Sequence, residues 1–108
     1  MAAREWKYSG GFDATLDFCE TVAMSDSIAL SAGQKDLFLR VSCSAASKVL
    51  TLGLDDGQFM LIANVGASNA ITLKNVSGDT GTSLAAGKVA VVIGGSSTAD
   101  TMKAYVLN

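Results

Sequence analysis

The chain has 108 residues, 49% of them hydrophobic, and a net charge of −2, which suits one domain with a core that needs no staple of disulfide or metal. Its 8 Lys and Arg stand singly along the chain, which excludes a nucleic-acid footprint, and no stretch nears the roughly 18 apolar residues of a membrane span. A mean hydropathy of +0.36 exceeds what a small β-rich protein with polar outer faces needs, so part of the apolar surface is expected to meet another subunit.

Residues 1–11 read as an arm. Trp6 and Tyr8 fall on one side of an extended segment and Glu5 and Lys7 on the other, and Gly10 and Gly11 let it leave the domain at a free angle. Arg4, Trp6, Lys7 and Tyr8 are therefore the candidate contacts to a partner surface or to a neighbour's sheet, because aromatic and Arg side chains dominate binding energy. An unordered terminus and a first strand of the same domain are the alternatives. The charged start has no apolar run after it, which reads as a protein made soluble in the cytoplasm of the producing cell.

The β-domain is expected over residues 12–108. Phe12, Ala14, Leu16 and Phe18 alternate with Asp13, Thr15, Asp17 and Cys19, so 12–24 reads as a half-exposed strand. After a turn at 25–27 and a short strand at 28–30, a unit Leu-x-x-Gly-(Gln/Lys) appears at Leu30, Leu54 and Leu84. Each copy leads into an apolar run (37–41, 59–63, 89–93), a polar linker and a second apolar stretch (49–52, 70–73, 102–107). A strand, turn, strand module thus recurs. Gly33, Gly57 and Gly87 are expected to supply the positive φ of a turn, and each Leu to cover the core end of it.

These glycines are 24 and 30 positions apart, and the longer interval is taken up by an insertion at 75–83, read as a surface loop. The run at 59–63 is apolar on both faces, so this strand is expected to be central or covered at a subunit contact. Phe59, Met60 and Ile62, with Val89 and Val91 of the third module, are the candidate oligomer interface. Ile71 and Leu73 are expected to pair back on the 59–63 strand, with Thr72 and Lys74 as the polar face. No window holds a 3.6 period with helix caps. The expected fold is all-β: a small β-sandwich or barrel built from repeated β-hairpins, with an extended N-terminal arm.

Candidate chemistry is sparse. His is absent, so a nucleophile would lack its usual base. Cys19 and Cys43 form no CxxC and have no third ligand for a metal; they read as two buried thiols, with a disulfide between them as the alternative. Asp55, Asp56 and Asp79 are read as turn residues that solvate loops, since neighbouring strand side chains diverge and no calcium-loop pattern is present. The Asp-Thr-Gly triplet at 79–81 lacks the apolar strand that precedes an aspartic-protease carboxylate. No catalytic residue, metal or cofactor is assigned, and the protein is not read as an enzyme.

Over residues 54–108 the chain carries an apolar strand ending in Asn-x-Gly (Asn64, Gly66), a short turn containing Asn69, an Ile-Thr-Leu strand (Ile71, Thr72, Leu73) and a Leu-x-x-Gly-Lys lead (Leu84, Gly87, Lys88) into the last hairpin. In these elements it resembles head-fibre and head-decoration proteins of tailed bacteriophages. The resemblance implies a small all-β domain, usually a homotrimer, fixed to the outer capsid surface of the virion with the major capsid protein as its partner. It departs from head fibres in lacking a long fibrous segment, which favours a compact decoration protein that stabilises the shell. A host-surface or glycan-binding module is the alternative function, against which the scarcity of aromatic platforms (Trp6, Tyr8, Tyr105) counts.

Overall fold

The computed structural model describes residues 19–31, 37–95 and 100–107. The side chains of Cys19 and Glu20, the arm with Arg4, Trp6, Lys7 and Tyr8, residues 12–18 of the strand expected at 12–24 and the turn glycine Gly33 lie outside the described residues. Nine strands follow in chain order: β1 (Cys19–Met24), β2 (Ile28–Ala29), β3 (Phe38–Cys43), β4 (Lys48–Thr51), β5 (Phe59–Asn64), β6 (Ile71–Lys74), β7 (Thr82–Leu84), β8 (Val89–Gly94) and β9 (Met102–Leu107). They form a five-stranded sheet in the order β1-β3-β5-β8-β9 and a four-stranded sheet in the order β2-β4-β6-β7, and one apolar core includes residues from both.

The chain crosses from one sheet to the other at nearly every connection. β1, β3 and β5 pair in parallel, as do β2, β4 and β6. The strand pairs β1–β2, β3–β4 and β5–β6 are therefore stacked coils, each giving one strand to each sheet. From β7 onward the direction reverses: β7 is antiparallel to β6, β8 to β5 and β9 to β8.

This corrects the hairpin reading. The modules are strand, turn, strand as expected, but only the third closes into a hairpin, β8–β9. Ile71 and Leu73 sit in the four-stranded sheet against Leu50 and Leu84, not beside the 59–63 strand. The reason is that period-two alternation specifies one buried face for each strand and says nothing of which sheet carries it. A short polar linker serves a hairpin and a corner between sheets equally well.

The Leu-x-x-Gly units at Leu54 and Leu84 mark corners that return the chain to the five-stranded sheet. Leu30, Leu54 and Leu84 are all buried, as expected. Gln58 N–H donates to the Asp55 carbonyl at 3.0 Å and Lys88 N–H to the Ala85 carbonyl at 3.1 Å. Gly57 (φ 81°) and Gly87 (φ 82°) hold the third position of these two turns, the type II geometry that glycine fits without a Cβ penalty. The turns are further matched in their docking. Gly57 N–H donates to Gly94 and Gly94 N–H to Gln58; Gly87 N–H donates to Asn64 and Asn64 N–H to Lys88. An approximate two-fold axis through the antiparallel β5–β8 pair relates the two corners, so the 30-residue repeat is a rotation and not a further coil.

Candidate interaction surface

Register decides which side chains leave the core. On β5, Met60 and Ile62 are fully buried, while Phe59 is 52% exposed. The assignment of Met60 and Ile62 to an oligomer interface is thereby corrected: both point between the sheets. Phe59, Val89 and Val91 point the other way. Phe38, Leu61, Val91 and Tyr105 are register partners across four strands, Phe59 aligns with Ile93 and Lys103, and Ala63 aligns with Val89 and Leu107. The outward face of the five-stranded sheet is thus a continuous apolar surface, with Ile93, Tyr105 and Leu107 each 40% or more exposed.

Its charged side chains, among the described residues, are Arg40 and Lys103. Both are cations in a chain of net charge −2. Lys103 Nζ lies 5.5 Å from the centroid of the Tyr105 ring, a cation–π distance. The outward face of the other sheet is more polar: Thr51, Thr72, Lys74 and Ser83 occupy it beside Ala29 and Val49. A monomer gains nothing from an apolar outer face, since each exposed aromatic or aliphatic group there forgoes about 25 cal/mol per Å² of burial.

Two buried polar clusters hold this sheet in place, and sequence reasoning found neither. Asp79 is 5% exposed, which corrects its reading as a solvated loop residue. Its carboxylate accepts the Thr101 N–H (3.0 Å), the Thr101 hydroxyl (3.0 Å), the Asn75 N–H (3.0 Å) and the Val76 N–H (3.2 Å). Burial pushes its pKa up, but these hydrogen bonds outweigh it and hold the carboxyl below its usual value. Asn75, also buried, accepts the Leu54 N–H and donates to the Leu54 carbonyl and to Thr101. At the opposite end Asn64 donates to the Asn69 and Leu84 carbonyls, both at 2.9 Å, and accepts the Gly66 N–H at 3.0 Å. The insertion at 75–83 is therefore a fastened connection, tied again by Asp100, which accepts the Thr80 and Gly81 N–H groups. In the sequence these residues look like any loop Asn or Asp; beside near neighbours, each has a partner about 20 positions away or more.

The remaining candidates carry little chemistry. Asp55 and Asp56 are exposed at the β4–β5 corner, and Cys43 is a buried free thiol. An open depression of about 480 Å³ runs along the corners after β1, β3 and β5, lined in part by Ser25, Ser42, Ser44, Ser68 and Asn69, with no charged side chain on its wall. Among the described residues no group of three or more His, Cys, Asp or Glu could hold a metal ion. Comparison with models of known protein families, with curated proteins and with solved structures found no match.

Proposed function

We propose that this chain is a structural protein of a tailed-bacteriophage head, bound to the outer capsid surface through the major capsid protein and reinforcing the shell. The observation that carries the reading is the apolar outward face of the five-stranded sheet, presented on a two-sheet body fastened by buried polar clusters. Such a face supports a protein partner, because contiguous exposed apolar patches mark interaction sites. The resemblance of residues 54–108 to head-decoration proteins supplies the class of partner. Cations at Arg40 and Lys103 favour an acidic rim opposite them, and the arm with Trp6 and Tyr8 adds a second point of attachment.

The test is cosedimentation of the purified protein with undecorated phage heads, followed by thermal opening of the shells. Saturable binding at hundreds of copies per particle and a higher opening temperature are expected. Absence of binding, or a handful of copies at a tail or fibre tip, overturns the reading in favour of a host-surface module.

A further inference from the structure

β9 pairs with β8 along one side, and among the described residues no strand pairs along the other. Five strands over four also leave β9 without a counterpart in the opposite sheet. Its core-directed side chains lose their cover stepwise: Met102 is 4% exposed, Ala104 half-buried and Val106 43% exposed. On the outward face Tyr105 and Leu107 are about half exposed. A six-residue strand thus offers a row of backbone donors and acceptors flanked by apolar groups on both faces.

Among the described residues the edge shows few of the usual protections. The chain has no Pro, the β8–β9 register runs without a bulge, and no charge points inward from β9. Its one cation, Lys103, lies on the outward face against Tyr105.

We propose that β9 pairs antiparallel with β9 of a second copy of this chain, about a two-fold axis beside Tyr105, joining two five-stranded sheets into one. This goes beyond the capsid reading and does not depend on it. An antiparallel edge is complementary to itself under a two-fold, so the same strand serves both copies. Pairing centred on Tyr105 sets Val106 of one copy beside Ala104 of the other, covering the two core-directed side chains that the fold leaves open. Lys103 falls beside Leu107 of the other copy, on the outward face of the joined sheet. Stacking the apolar faces of two copies would instead bring Arg40 and Lys103 of both into one interface with no acid opposite them. A single strand pair is a short contact beside the about 800 Å² per partner of a standard interface, and dissociation in the micromolar range is the expected result.

Sedimentation velocity from about 1 to about 100 µM brackets that range. The expected result is a mass that rises from one copy to two, with Val106→Lys weakening dimerisation at least about tenfold by placing an inward charge on the edge. Phe59→Lys, on the outward face, is expected to leave the dimer intact. Amide exchange on the unmodified protein is the second measurement: β9 amides should exchange more slowly as concentration rises, a result that stands even if Val106→Lys fails to fold. A mass of one copy throughout, a trimer, dissociation by Phe59→Lys with a folded Val106→Lys unaffected, or β9 amides protected equally at every concentration each overturns the proposal.

Discussion

Thr101 gives both its amide and its hydroxyl to the Asp79 carboxylate, each at 3.0 Å, and so ties the 75–83 connection to the start of β9. Charge-assisted bonds of this kind are about twice as strong as neutral ones. They also leave three backbone N–H groups dependent on a single side chain. The cluster holds the residue that immediately precedes β9.

Asp79→Asn should cost about 2 to 4 kcal/mol, because the amide keeps one acceptor oxygen and turns an NH₂ toward N–H donors, leaving buried groups unpaired. Urea denaturation measures it. A loss under about 0.5 kcal/mol, the range of an ordinary surface change, would show that the cluster is not needed.

Acid should weaken the unmodified protein through the same group. The folded-state pKa of Asp79 is depressed, so its contribution is complete above the unfolded value of about 3.9 and is lost as pH falls through the folded value. Melting temperatures taken between about pH 2 and pH 7 should fall on the acid side in the unmodified protein, and less so in Asp79→Asn. The slope remaining in that variant includes Asp26, whose carboxyl is held low by its hydrogen bond to Lys48, then by the Ser27 amide and the Lys48 charge.

Three glycine substitutions should separate backbone conformation from close approach. A Cβ at Gly57 or Gly87 meets nothing within 4 Å, so alanine there should cost only the positive-φ penalty of about 1 to 2 kcal/mol. At Gly94 a Cβ would collide with the Asp55 carbonyl and the Leu54 Cβ, and the β4–β5 corner must shift. Gly94→Ala is expected to be the most damaging of the three in chemical denaturation; equal losses at all three would contradict the docking of that corner.

The two faces of β5 should respond oppositely to charge. Met60→Asp and Ile62→Asp bury an unpaired carboxylate between the sheets and should abolish folding, as read by circular dichroism. Phe59→Asp should leave a folded protein with its melting temperature little changed. For scale, Leu50→Ala, at a fully buried position, should cost about 2 to 5 kcal/mol.

Deleting residues 2–11 should leave the β-domain folded with little change in melting temperature yet reduce binding to undecorated heads. Ordering an arm costs about 1 to 2 kcal/mol per residue, so Trp6 and Tyr8 must bury well for it to contribute. Binding as tight as that of the full chain would assign attachment to the sheet face alone.

Much of the local structure is legible in the residues themselves. Leu39 and Val41, Ile71 and Leu73, and Ala90 and Val92 are buried because alternation places them on one face of a strand. Leu54 with Gly57, and Leu84 with Gly87, mark corners because a buried Leu and a left-handed Gly are what such a turn needs. These are properties of short segments, and a short segment carries them in its own sequence. Which strand lies beside which is another matter. The parallel coils, the reversal at β7, the division of β5 into a core face with Met60 and an outer face with Phe59, and the burial of Asp79 against Thr101 all join residues far apart in the chain. Alternation has the same period in a hairpin and in a coil, and a loop carboxylate has the same chemistry in solvent and in a buried cluster, so only the packing of the two sheets could choose between them.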